Sequence, residues 1–142
     1  YLKEPLKFKE VYLMNDPNFE TYTSLSFFIK SNDKNFKIFF IRGIKNYTNS
    51  IDLCLKKRNE IASEIESIIP KFKKRDSNIK SRLDKSGKSY TKQILYTFNL
   101  GDQIVLSCTD WEEKLRKKNN WIDGLSVAIL EKEVVDWFKK KK

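Results

Sequence analysis

The chain has 142 residues, of which 39% are hydrophobic and 13% aromatic, a composition that favours a compact domain and excludes an intrinsically disordered chain. It contains no histidine, which excludes a His-based catalytic triad and a zinc site of Cys and His. No apolar run approaches the roughly 20 residues of a membrane-spanning helix. We therefore expect a single domain over residues 1–142, with no cofactor, no metal and no transmembrane segment.

Three strands are predicted before the first helix. The first covers residues 6–14 and is followed by a turn sequence at residues 15–18. The next two strands alternate apolar and polar residues and are predicted to form a hairpin. Pairing residue 29 with 36 and 25 with 40 leaves residues 31–34 as the loop. This register aligns two apolar trios: Leu25, Phe27 and Ile29 with Phe36, Ile38 and Phe40.

An amphipathic helix is predicted over residues 51–69. Ser50 is a good N-cap residue, and Asp52 complements the positive end of the helix. Pro70 requires the helix to end just before it. Apolar residues recur along it at helical spacing: Ile51, Cys54, Leu55, Ile61, Ala62, Ile65, Ile68 and Ile69.

Residues 71–92 carry nine basic and two acidic side chains and show no sustained apolar period. We predict a basic loop here, with a short strand near residues 78–83 as an alternative. The same charges form a candidate anion-binding site for an anionic surface, a polyanion or a nucleic acid. Its candidate residues are Lys71, Lys73, Lys74, Arg75, Lys80, Arg82, Lys85 and Lys88. Four more lysines form a basic C-terminal tail at residues 139–142.

A second hairpin is predicted from two apolar trios: Ile94, Tyr96 and Phe98 with Ile104, Leu106 and Cys108. Pairing residue 98 with 104 leaves residues 100–102 as the loop, in which Gly101 suits a bulged position. Asp110 and Glu113 have the spacing of a capping box at the start of a short helix. A last strand at residues 125–129 and a closing helix around residues 134–138 follow.

The main elements have the predicted order βββαβββα. Strands outnumber helices and short turns join adjacent strands, which favours an α+β fold. We predict an antiparallel sheet built from two hairpin units, with the two main helices packed on one face. One core is then expected to contain residues of both hairpins and of the first helix: Phe27, Phe40, Ile61, Ile65, Tyr96, Phe98 and Leu106.

The two cysteines, Cys54 and Cys108, lie on the apolar stripe of the helix and on the apolar face of a strand. A disulfide between them is geometrically possible if the helix crosses the second hairpin. The alternative is two buried thiols that act as small apolar residues. An even cysteine count and a chain that does not begin with Met both fit an exported protein. We therefore predict a disulfide and a secreted or periplasmic location.

Two weaker signals suggest chemistry. Residues 86–89 read SGKS and resemble the end of a phosphate-binding loop, but Arg82 stands where that motif requires glycine. Three acidic residues flank Trp111 in a pattern that suits glycosidic chemistry, although acids at a helix start usually act as caps: Asp110, Glu112 and Glu113.

No other catalytic constellation is present, so the sequence predicts a small exported domain with a binding or structural role and no catalytic activity. The alternative is a protein that binds a nucleic acid or another polyanion through residues 71–92. A hydrolase that uses carboxylates or hydroxyls is the weakest of the three hypotheses.

Overall fold

A computed structural model describes residues 7–14 and 16–140. Within these ranges the chain forms seven strands and three helices: β1 (Phe8–Met14), β2 (Ser24–Lys30), β3 (Ile38–Asn46), α1 (Ile51–Ile68), β4 (Lys73–Lys80), β5 (Tyr90–Thr97), β6 (Gln103–Asp110), α2 (Glu113–Asn119), β7 (Gly124–Leu130) and α3 (Lys132–Lys140). The predicted strand start at residue 6, position 15 of the predicted turn and the last two residues of the basic tail lie outside the described residues. In the described part of the chain, no helix has the length and apolar character needed to cross a membrane.

The strands form one antiparallel sheet in the order β1-β2-β3-β7-β6-β5-β4. β7 lies at its centre because Ile129 is opposite Ile41 of β3 on one side and opposite Ile104 of β6 on the other. The last strand of the chain thus joins the two hairpin units into one sheet. The predicted α+β class and the antiparallel sheet are confirmed.

The prediction of a basic loop over residues 71–92 is corrected, because Lys73–Lys80 form the edge strand β4. This strand pairs along its whole length with β5, from Lys73 opposite Thr97 to Lys80 opposite Tyr90. Apart from the half-buried Ser77, every residue of β4 is exposed. An edge strand that is exposed on both sides shows no apolar alternation, and its charges discourage pairing with another chain. The pattern that usually reveals a strand is therefore missing here.

The two main helices lie on opposite faces of the sheet, so the prediction that both pack on one face is wrong. Leu125 of β7 packs in the cluster around Cys54 of α1, whereas Ala128 packs in the cluster around Val134 of α3. Alternate residues of a strand point to opposite faces, which places residues 125 and 128 on different sides of β7. The central strand is apolar on both sides and needs cover on both. We call the two sides the α1 face and the α3 face.

The sheet therefore divides the core in two. The core on the α3 face is rich in phenylalanine and consists of Phe8, Phe28, Phe39, Phe40, Ala128, Leu130, Val134 and Val135. The core on the α1 face contains Ala62, Ile94, Tyr96, Ile104 and Leu106, with the cysteine pair and Leu125 beside it. The single core predicted from the sequence is thus wrong, since Phe40 lies on one side and Tyr96 on the other.

The first hairpin has a different register from the predicted one. Phe28 lies opposite Phe40 and Phe27 opposite Ile41, and a bulge near Ile29 restores pairing with Ile38. The loop between the strands is therefore seven residues long, 31–37, rather than four. The bulge places Phe39 and Phe40 together in the phenylalanine-rich core.

Candidate functional site

Cys54 on α1 and Cys108 on β6 form a disulfide, as predicted. Their α-carbons are 6.0 Å apart, and both side chains are completely buried. The bond spans 54 positions of the sequence and fastens α1 to a strand near the centre of the sheet. In the chain-entropy model, closing a loop of this length stabilises the fold by about 4 kcal/mol. Its burial and position indicate a structural role.

The structure distributes the eight candidate anion-binding residues over four places, and all eight are exposed. Lys73 and Arg75 lie on the α3 face of β4, since Arg75 is opposite Leu95. Lys74 and Lys80 point to the α1 face of the same strand. The remaining four precede β4 or lie in the loop that follows it: Lys71, Arg82, Lys85 and Lys88.

Lys74 differs from its neighbours because it belongs to a structural network. Its ammonium group lies 2.8 Å from the carboxylate of Glu66 on α1. The hydroxyl of the buried Tyr96 donates a 2.7 Å hydrogen bond to the same carboxylate. Lys74 and then Tyr96 hold the pKa of Glu66 below its ordinary value, while burial and the bond to Glu66 raise the pKa of Tyr96. This arrangement ties edge strand β4 to the helix.

The loop at residues 81–89, which includes the SGKS sequence, is organised around Asp84. The Asp84 carboxylate accepts hydrogen bonds from the Ser86 hydroxyl at 2.7 Å, the Ser86 backbone N–H at 2.8 Å and the Ser89 backbone N–H at 2.6 Å. These donors, led by the Ser86 hydroxyl, lower the pKa of Asp84. A carboxylate of the protein itself therefore occupies the place that a phosphate would need. The loop is a structural turn, in agreement with the missing glycine at position 82.

The acidic residues beside Trp111 also have structural partners. Glu112, rather than the predicted Asp110, is the N-cap of α2, and its carboxylate accepts a hydrogen bond from the Leu115 N–H at 3.0 Å. Glu113 forms an ion pair with Lys117 at 2.6 Å. Glu112 and Glu113 thus cap and stabilise a short helix, as acids at a helix start usually do, whereas Asp110 ends β6 and forms a side-chain hydrogen bond with Tyr90.

The sequence did not reveal an open cavity of about 770 Å³ at the end of the sheet. Three ammonium groups surround it, from Lys7, Lys30 and Lys37, with the ring of Phe39 at its base. Glu133 of α3 reaches into it and contacts Lys7 at 2.8 Å and Lys30 at 3.0 Å. Its residues come from three distant parts of the chain, so no local sequence pattern indicates the cavity. The internal carboxylate neutralises much of the charge that would hold an external anion.

In the part of the chain that the structure describes, each half of the sheet has one face that no helix covers. On the α3 face, the strands β4–β6 present mostly hydroxyl, amide and charged side chains. We call this area the open polar face, which consists of Lys73, Arg75, Ser77, Ile79, Thr91, Gln93, Leu95, Thr97, Gln103, Val105, Ser107 and Thr109. On the α1 face, the strands β1–β3 and the neighbouring part of β7 are apolar. We call that area the open apolar face, which consists of Val11, Leu13, Leu25, Phe27, Ile29, Ile38, Ile41 and Ile129.

Among residues 7–14 and 16–140, no group of three or more Cys, Asp and Glu side chains is arranged to hold a metal ion. Comparison of the chain with protein-family models, with curated proteins and with solved structures gives no match.

Proposed function

We propose that this protein is an exported, disulfide-stabilised domain, secreted or periplasmic, that acts by binding rather than by catalysis. The observation that carries the proposal is the buried bond between Cys54 and Cys108. Disulfides form and persist outside the reducing cytosol, and small exported domains use them to compensate for a limited core. The absence of histidine supports the non-catalytic part of the proposal, since histidine is the most common general base.

The binding role is supported by the two open faces of the sheet. A sheet of seven strands with one main helix on each side exposes half of each face. Surfaces of this kind, on rigid and disulfide-braced elements, are well suited to hold a partner without changing shape. The acidic groups that suggested hydrolysis are used as caps and ion-pair partners.

Fractionation of cells that express the protein from its own gene tests the location. We expect the protein in the medium or in the compartment outside the inner membrane, together with a marker protein of that compartment. A cytosolic marker measured in parallel controls for lysis. Recovery of the protein with the cytosolic marker alone would contradict the proposal.

A second candidate function, the binding of a polyanion, is favoured by the basic side chains at and after the β4 edge. Lys73, Arg75 and Lys85 are exposed, and none has an ion-pair partner within the described ranges 7–14 and 16–140. Unpaired cations at the edge of an open polar face attract phosphate or sulfate groups and release counterions on binding. Lys74 contributes less, because Glu66 already holds it.

Retention on heparin and on single-stranded DNA, measured over a range of salt concentrations, tests this second function. The triple variant Lys73→Ser, Arg75→Ser and Lys85→Ser should elute at lower salt, with a smaller dependence of affinity on salt. The control is a matched variant in which three exposed lysines elsewhere are changed to serine: Lys34, Lys56 and Lys118. It has the same net charge as the first triple variant. Equal losses in the two variants would indicate general charge attraction and would contradict a defined site.

A further inference from the structure

The open apolar face differs in composition from the open polar face, although no main helix covers either. A sheet area in contact with water normally carries polar side chains, as the open polar face does. The open apolar face instead carries aliphatic and aromatic side chains. The inference drawn from this contrast rests on the binding role proposed above and identifies the partner surface.

A continuous apolar row crosses four strands of this face. Val11 lies opposite Phe27, Phe27 opposite Ile41, and Ile41 opposite Ile129. Val11 is 41% exposed and Ile129 is 52% exposed, and Ile38 in the next row is 48% exposed. Contiguous exposed apolar side chains on a folded domain mark an interaction site more often than isolated ones do.

The shape of the surface argues against a membrane as its partner. A helix has a diameter of about 10–12 Å, so α1 forms a step beside the open apolar face. Next to α1, Tyr22 packs over Gly43 of β3, where an added Cβ would lie 2.7 Å from the tyrosine ring. A flat lipid surface would meet the exposed polar side of α1 before it reached the sheet. That side carries Lys56, Asn59, Glu60, Ser63, Glu64 and Ser67.

The same step argues against a second copy of the chain. In a face-to-face dimer, the projecting α1 of each copy would lie on the open apolar face of the other. Its polar outer side would then lose water without gaining hydrogen-bond partners, which is unfavourable. Each copy also carries a net charge of +10, which adds repulsion.

We propose that the open apolar face binds an amphipathic helix of a partner protein that carries acidic residues beside its apolar stripe. Two lysines at the margins supply the complementary charge: Lys9 is opposite Ile29, and Lys45 is opposite Leu125. Neither ammonium group has an ion-pair partner within residues 7–14 and 16–140. Their attraction for carboxylates distinguishes an acidic helix from a basic one.

The dimensions of the open part of the face fit one helix. Three strands at a spacing of about 4.8 Å give a width of about 14 Å, enough for one helix and too narrow for two. Tyr22 covers the end of β2 at Leu25, which is opposite Gly43, so about four residues of the strand, or about 13 Å, remain open. That length corresponds to about nine helical residues, so the partner segment is a single helix of about two and a half turns.

A synthetic helical peptide of about 18 residues tests the proposal, with leucines along one side and glutamates along the other. A second peptide has lysines in place of the glutamates, and fluorescence anisotropy measures the binding of each to the full chain. We expect the acidic peptide to bind at least about tenfold more tightly than the basic peptide.

Two variants in the apolar row test the location of the site. Val11→Asp and Ile129→Asp should each weaken the binding of the acidic peptide at least about tenfold. Ile79→Asp is the matched control, because Ile79 is exposed to a similar degree, 48%, but lies on the α3 face.

The charge-reversal variant Lys9→Glu keeps the test valid if an aspartate in the apolar row impairs folding. It should weaken binding of the acidic peptide and strengthen binding of the basic one. Equal affinity for both peptides, or equal effects of Ile79→Asp and Ile129→Asp, would overturn the proposal. The proposal would also be overturned if the chain sediments as a dimer that Ile129→Asp dissociates. The same holds if the chain binds vesicles with anionic lipids and Ile129→Asp abolishes that binding. None of these results would change the cell fractionation, so failure here is distinguishable from failure of the proposed export.

Discussion

Phe28 and Phe40 lie directly opposite each other on β2 and β3, with ring centroids 4.4 Å apart. Both rings are buried on the α3 face, where Phe138 of α3 packs edge-on against them. The pair sets the register of the first hairpin, because a shift of one strand by one residue would place the two rings on opposite sides of the sheet. The phenylalanine-rich core therefore determines which face of this hairpin α3 covers.

Truncation of Phe28 to alanine should lower the free energy of unfolding by about 3–5 kcal/mol, because a buried ring is lost and a cavity remains. Urea denaturation followed by circular dichroism measures the loss. Leu100→Ala is the control, since Leu100 is 79% exposed in the loop after β5, and it should change stability by no more than about 0.5 kcal/mol. A loss below about 1 kcal/mol for Phe28→Ala would contradict the observed register.

Removal of the disulfide in the variant Cys54→Ala, Cys108→Ala should lower the free energy of unfolding by about 4 kcal/mol. The reason is that the unfolded chain gains conformational freedom when the crosslink is absent. Urea denaturation of the oxidised protein, the reduced protein and the double variant provides the comparison. We expect the unfolding free energies of the reduced protein and the double variant to agree within about 1 kcal/mol. A double variant as stable as the oxidised protein would contradict a structural role for the bond.

The stability of the protein should fall in acid partly through Asp84, whose pKa is lower in the folded protein than its ordinary value. Its contribution is fully present above the unfolded-state pKa of about 4 and is lost as the pH falls through the lower folded-state pKa. The difference in unfolding free energy between the wild type and Asp84→Asn should therefore shrink as the pH falls below about 4. A difference that stays constant from neutral to acid pH would contradict this.

Ser86→Ala tests the cause of that pKa shift, because the Ser86 hydroxyl is the strongest of the groups that lower the pKa of Asp84. Its removal should move the midpoint of the Asp84 carboxyl titration, followed by NMR, to a higher pH. Ser81→Ala is a suitable control in the same loop, since the Ser81 hydroxyl accepts from the Leu83 N–H and, among the described residues, is not a donor to the Asp84 carboxylate. Equal shifts in both variants would mean that the loop as a whole, rather than one hydrogen bond, sets the pKa.

The local parts of the fold were predictable from the sequence. The helix Ile51–Ile68 was predicted within one residue, because Ser50, Pro70 and the apolar stripe mark it independently. The second hairpin was predicted with a register two residues away from the observed one, in which Tyr96 lies opposite Ile104. An even shift preserves the faces, so Cys108 was still placed toward α1 and the disulfide prediction succeeded.

The non-local parts were not predictable. The first hairpin contains several phenylalanines, so the sequence allows more than one way to pair its two strands. The observed pairing of Phe28 with Phe40 depends on packing against α3, which is distant in the sequence. The charged residues of β4 give no strand signal because the strand lies at the edge. The cavity around Phe39 and the open apolar face both depend on strand order, which sequence patterns do not reveal.

The redox state of the cysteines in protein isolated from its own cells shows whether the bond between Cys54 and Cys108 forms there. Rapid acid quenching, alkylation under denaturing conditions and measurement of the intact mass count the free thiols at Cys54 and Cys108. We expect no alkyl group to be added before reduction and two to be added after it. Two alkyl groups on the unreduced protein would show that the bond is absent in the cell, and would contradict an exported, disulfide-stabilised binding domain.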